Sequence, residues 1–203
     1  MANTVYIVDD DAAVRDALGL LLGLRGHRTA FFADAASFLD AYRSDWRGCL
    51  LIDLRMPGTD GLTLQRRLQE TGCRVPVIII TGHGDVASTR EAFRANAVDF
   101  LEKPLDEERL MQAIEEAFSR QDSERNEQHR LQEQAQRLAE LTPREREVMD
   151  LVVAGKHNRD IAGELGISVR TVEVHKARMM SKLKVDGIPQ LVRLSLGQGN
   201  GKP

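Results

Sequence analysis

Several absences bound the chain before any motif is read. None of its apolar runs approaches the length of about 18 residues that a membrane-spanning helix needs. The N-terminus lacks a basic-then-apolar leader, because Asp9 interrupts its first apolar stretch, so a cytoplasmic protein with no membrane partner is expected. Cysteine is scarce. Cys49 lies in an apolar run and Cys73 in a loop, so two reduced thiols are expected rather than a disulfide framework. Neither glycine nor proline occurs between Leu105 and Thr142, so nothing there punctuates a helix. An overall basic charge is also missing, but the formal net charge of −3 hides an asymmetry. Residues 1–120 carry 14 Lys and Arg against 19 Asp and Glu, whereas residues 142–203 carry 11 against 7. An acidic front and a basic back predict two domains with different partners, nucleic acid for the second.

What is present in the front half is a repeating pattern. Short apolar runs at 5–8 (VYIV), 29–32 (TAFF), 49–52 (CLLI), 77–80 (VIII) and 99–101 (DFL) read as strands. Between and after them, 12–25, 34–43, 61–70, 85–95 and 106–120 read as amphipathic helices. Asp34, Asp85 and Asp106 are expected as N-caps, and Gly26 as a stop. Five strand–helix repeats with continuously apolar strands predict a doubly wound parallel sheet covered on both faces. Segment 119–140 is polar, with Leu131, Ala135 and Leu138 as a single sparse seam, and reads as a helical linker. At Thr142-Pro143 a new helix begins with a capping box completed by Glu145, ending at Gly155. Further helices are expected at 158–165, 168–184 and 189–196. The expected division is 1–119, 120–140 and 141–203.

The strand ends carry the chemistry. The first strand runs into Asp9-Asp10-Asp11, the third ends at Asp53, the fourth at Thr81-Gly82, and the fifth leads to Lys103-Pro104. In a doubly wound sheet those ends converge on one edge, where ligands bind. Ionised carboxylates crowded together repel and resist burial. An oxygen-rich set of this kind suits a hard divalent cation, most naturally Mg²⁺ with part of its water shell. Thr81 and Lys103 are then donors suited to phosphoryl oxygens.

The stretches IVDDD, LLIDLRMPGTDGL, IIITGHGDV and DFLEKPL resemble the receiver domain of two-component response regulators, a CheY-like (βα)5 fold, across residues 1–120. The resemblance implies that Asp53 is the phosphoacceptor, taking its phosphoryl group from a sensor histidine kinase. It implies a magnesium site of Asp10, Asp53 and the backbone carbonyl of Arg55, with Asp9 assisting through water. Thr81 and Lys103 would contact the phosphoryl group, and Phe100 would turn inward as Thr81 moves, remodelling a dimer face. Arg55 and His83 would tune the phosphoaspartate lifetime. A cis Lys103–Pro104 bond is implied as well, and Asn96 replaces the usual glycine at a left-handed position.

The back half contains helix, tight turn at Gly166, and helix. On the second helix Val172, Met179 and Leu183 face inward, while Arg170, Val174, Ala177, Arg178 and Ser181 face out, flanked by Glu173 and Lys184. Valine and alanine between two arginines suit a major groove. There they meet thymine methyls, glutamate accepts from cytosine, and arginine grips phosphate or guanine. Lys182 and Lys184, with Lys156 and Lys176, are expected as phosphate contacts. This half resembles the LuxR-type helix-turn-helix of the NarL/FixJ family, nearest its FixJ branch. Its members are transcription regulators whose last helix often pairs with a second copy.

The function this implies is a phosphorylation-activated regulator, not an enzyme, that dimerises on promoter DNA and recruits RNA polymerase. An aspartyl-phosphate phosphatase is one alternative, disfavoured because Arg55 stands where a general acid would be needed. A phosphorylation-independent, ligand-controlled regulator is another.

Overall fold

In the computed structural model, residues 3–82, 92 and 95–196 are described. Contacts divide the chain into two units, Met1–Arg125 and Asn126–Pro203. The first is built on β1 (Thr4–Val8), β2 (Arg28–Phe32), β3 (Gly48–Asp53), β4 (Val77–Thr81) and β5 (Asp99–Glu102), all parallel in the order β2-β1-β3-β4-β5. The predicted strands are found, each within a residue or so of its expected ends.

Strand side chains alternate between faces, and here both faces are buried, so no polar alternation marks the sequence. Tyr6, Val8, Leu50, Ile52 and Ile79 face one core with Phe38 of α2 (Ala35–Ala41) and Leu64 and Leu68 of α3 (Gly61–Glu70). Val5, Ile7, Cys49, Leu51, Ile78 and Ile80 face the other, against Leu18 and Leu22 of α1 (Ala12–Leu24) and Leu110, Ala113, Ile114 and Ala117 of α4 (Glu107–Ala139). Each fully buried Leu, Ile or Phe contributes about 1.5–3 kcal/mol of apolar transfer. The expected helix over 85–95, with its Asp85 cap, falls outside the described residues except at Ala92 and Ala95.

Helix α4 covers 33 residues, about 50 Å at 1.5 Å per residue. It merges the separately expected helix 106–120 and linker, because no Gly or Pro stops it. Within the first unit its Gln121, 3% exposed, accepts from the Gly48 N–H at 2.7 Å. Gly48 has φ +132°, and a Cβ there would lie 1.7 Å from the Thr4 carbonyl oxygen, so only glycine lets β3 start beside β1. Trp46, just before it, stacks on Tyr6 at 4.2 Å.

The second unit packs α5 (Pro143–Val153), α6 (Asn158–Leu165), α7 (Val169–Leu183) and α8 (Ile188–Leu196) around Val148, Val152, Ile161, Val172, Met179, Leu183 and Leu191. Leu138 joins this core, while Leu131 and Ala135 are exposed. Thr142 and Glu145 form the expected capping box. Gly166 is left-handed at φ 64° and Ser168 caps α7, which together make the tight turn between the helices.

Candidate functional site

The carboxyl ends of β1, β3, β4 and β5 meet as the strand order predicts, beside the point where it reverses between β1 and β3. Asp9 and Asp53 are 2% and 5% exposed, and Thr81 is fully buried. Lys103 bridges the two acids, with Nζ 2.9 Å from Asp9 Oδ2 and 2.6 Å from Asp53 Oδ1. Asp53 Oδ2 accepts from the Arg55 N–H at 2.8 Å. The Lys103 backbone N–H is held by the Thr81 carbonyl at 2.7 Å, and the Lys103–Pro104 peptide is cis, as the resemblance implies.

Burial raises the Asp53 carboxyl above its usual pKa. The Lys103 hydrogen bond and charge pull it down, and the Asp9 charge pushes it up again. For Lys103, burial acts downward, but its hydrogen bonds to Asp53 and Asp9 prevail and leave the ammonium raised and firmly charged. Lys103 thus supplies the positive charge that two buried carboxylates require.

Asp10 is exposed at the rim of an open cleft of about 510 Å³, lined also by Leu54, Arg55, Met56, Pro57, Asp60 and Leu62. The resemblance implies the Asp10 and Asp53 carboxylates and the Arg55 carbonyl as oxygen donors, and of these residues Asp10 and Arg55 line the cleft. Among the described residues no group of three or more His, Cys, Asp or Glu side chains is gathered into a full cage. A donor set of this kind fits Mg²⁺, which takes one or two carboxylates and keeps several waters.

Phe100 is half-buried on β5 and packs against the α2–α3 core. His83 lies outside the described residues. Asp11 caps α1 through the Ala13 N–H at 2.8 Å.

Three contributors were not read from the sequence. Asp60 caps α3 through the Thr63 N–H at 2.7 Å, and Gly61 donates its N–H to the Leu54 carbonyl at 3.0 Å, locking the turn after Asp53. Arg15 donates to the Asp9 carbonyl at 2.6 Å. Its only signal is a cation one turn into α1, the end where cations are disfavoured.

On α7, Arg170, Glu173, Val174, Ala177 and Arg178 are all exposed, Val174 by 42%. Lys184 follows the helix, exposed and left-handed at φ 55°. Lys182 differs from these. Its ammonium lies 2.6 Å from Glu145 Oε2 and 3.1 Å from the Glu140 carbonyl, tying α7 to the capping box rather than standing free on the outward face. Glu145 is 3% exposed, and its bonds to Lys182 and to the Thr142 N–H hold its carboxyl at about 2.

A doubly wound α/β domain with an acid cleft, joined to a helix-turn-helix unit with an exposed arginine-flanked helix face, defines the class of response regulators that act on DNA. The chain belongs to that family. Its residues 5–115 match the response regulator receiver domain and 139–195 the bacterial regulatory proteins of the luxR family. It is 43% identical to the transcriptional regulatory protein FixJ of Bradyrhizobium diazoefficiens over 195 residues, 96% of this chain and 95% of that one. Identity to the response regulator protein TodT of Pseudomonas putida is 40% over 194 residues, covering 96% and 86%. The solved structure of the response regulator StyR is 38% identical with a TM-score of 0.88, covering 97% of this chain and all of that one. The protein is therefore a response regulator with a receiver domain and a LuxR-type DNA-binding domain.

Proposed function

We propose that Asp53 accepts a phosphoryl group from the phosphohistidine of a sensor kinase, and that this drives dimerisation on promoter DNA. The observation that carries this reading is the Lys103 ammonium held between Asp9 and Asp53, with Thr81 buried beside them. Phosphoryl transfer needs positioning and charge neutralisation more than covalent assistance, and these residues supply both. A carboxylate oxygen of Asp53 attacks phosphorus as the P–N bond to the kinase histidine breaks, its electron pair returning to the imidazole nitrogen, which leaves as neutral imidazole. Lys103 then shifts its contact from the carboxylate to the phosphoryl oxygens, and the Thr81 hydroxyl donates to another. Asp10, Asp53 and the Arg55 carbonyl would hold Mg²⁺, Asp9 acting through water, and the ion would neutralise charge on the transferring group. Arg55 stands at the cleft mouth and, with His83, governs access of hydrolytic water. Movement of Thr81 opens room for Phe100, which reshapes the dimer face.

In the second domain Arg170, Glu173, Val174, Ala177 and Arg178 read the major groove, and Lys184 grips phosphate. Lys182 serves chiefly to hold α7 in place. The reading takes 1–119 as receiver, 120–140 as linker and 141–203 as DNA-binding domain, working in the cytoplasm and recruiting RNA polymerase. It is a regulator rather than an enzyme, since no acid stands two residues after Asp53.

The test is promoter binding with size measured in parallel, with and without Mg²⁺ and acetyl phosphate, for wild type and Asp53→Asn. Wild type is expected to gain both dimer and affinity, the variant neither. Two identical half-sites raise the effective concentration of the second domain, so a gain of about 10²-fold or more is expected on a two-fold site. Gain of affinity without change of size would replace dimerisation by release of an inhibited DNA-binding domain.

A further inference from the structure

Arg15 stands where helix electrostatics disfavours it. It lies four residues after the α1 cap Asp11, and a cation near a helix N-terminus opposes the helix dipole. Its side chain is partly buried, and Nη1 donates to the backbone carbonyl of Asp9 at 2.6 Å. That bond completes a set. The Asp9 N–H donates to the Phe32 carbonyl at 3.2 Å. Asp9 Oδ1 accepts from the Asp11 N–H and Oδ2 from Lys103, each at 2.9 Å. Every polar group of Asp9 is therefore engaged. Asp10, the next residue, is exposed and makes no side-chain hydrogen bond or ion pair among the described residues. Nothing orients its carboxylate except the backbone from which it grows.

We propose that Arg15 is a positioning residue for the metal: by tying the Asp9 carbonyl, it fixes the β1–α1 turn in the conformation that presents Asp10 to Mg²⁺. The inference rests on the magnesium reading above and adds a residue to it. Arg15 exerts two opposed effects. A second cation near the cleft repels the ion, but a turn already ordered spares the ion from ordering it. The guanidinium is partly solvated, so water and salt screen the repulsion. Hydrogen bonds that orient metal ligands from outside commonly carry about 10–100-fold in affinity. Ordering therefore outweighs repulsion.

The experiment is calorimetric titration of the full chain with Mg²⁺ at fixed ionic strength, for wild type, Arg15→Met, Arg15→Gln, Arg15→Lys and Asp10→Asn. Arg15→Met keeps the packing and loses the donor. Arg15→Gln keeps an amide too short to reach Asp9, and guards against misfolding of the first. Both are expected to bind Mg²⁺ about tenfold more weakly, with Arg15→Lys, which retains one donor, recovering most of the loss. Melting midpoints without Mg²⁺ should stay near wild type, because a bond that only stabilised the fold would move those and leave affinity alone. Binding by Arg15→Met and Arg15→Gln as tight as wild type, or tighter, overturns the proposal while leaving the magnesium reading intact. Failure of wild type to bind, or undiminished binding by Asp10→Asn, overturns both.

Discussion

Replacing Gly61 with alanine would place a Cβ 2.5 Å from the Asp53 carbonyl oxygen and 3.1 Å from the Leu54 Cα. Both are backbone atoms, so relief requires the turn that sets Asp53 to move. Gly61→Ala is expected to destabilise the fold by about 1–3 kcal/mol, as overpacking does. It should also slow acetyl phosphate labelling of Asp53, read by urea denaturation and by intact mass. At this scale the sequence was partly legible. Asp9, Asp10, Asp53, Thr81 and Lys103 announced themselves as polar residues at the ends of apolar strands. Arg15 and Gly61 did not, because their roles are a hydrogen bond to a backbone carbonyl and a missing side chain. Neither leaves a compositional trace.

Among the elements, caps were the most legible feature. Asp34, Thr142 and Ser168 each accept from the backbone N–H three residues on, a local interaction encoded within one turn. The run of α4 was half legible: the lack of Gly and Pro after Leu105 allows it, but the bond that seats it, from Gly48 to Gln121, spans 73 positions. Lys182 reads in the sequence as one more outward lysine, because its buried partner Glu145 lies on another helix 37 positions away. Lys184 offers a test at this scale. A lysine held at φ 55° is strained, and glycine is not. Lys184→Gly is expected to stabilise the second unit by about 0.5–1 kcal/mol in thermal denaturation. In the same variant the salt dependence of DNA binding should lose about one unit of slope, the signature of a lost phosphate contact.

For the whole molecule, acidification separates the two units. Glu145 is held at about 2 against a usual value of 4.5, by Lys182 first and the Thr142 N–H second. A carboxylate depressed on folding contributes stability above its unfolded pKa and loses it as pH falls through the folded one. The second unit should therefore weaken between pH 4.5 and about 2. Glu145→Gln should be less stable at neutral pH and flatten that part of the profile, measured by urea midpoints from pH 6 to 2.5. Burial moves Asp53 the other way, so the receiver gains nothing from ionising it alone.

Trp46 is the only tryptophan in the chain. Its indole lies face-on against Tyr6 at 4.2 Å, and its carbonyl receives both Gln121 Nε2 and Arg125 Nη1 of α4, each at 3.4 Å. The molecule therefore carries a built-in optical gauge. Ultraviolet excitation selective for indole reads a single site, and that site is wired to the helix running out of the receiver. Any event that loosens α4 from its seat will register as a change in emission, in unlabelled native protein and in real time.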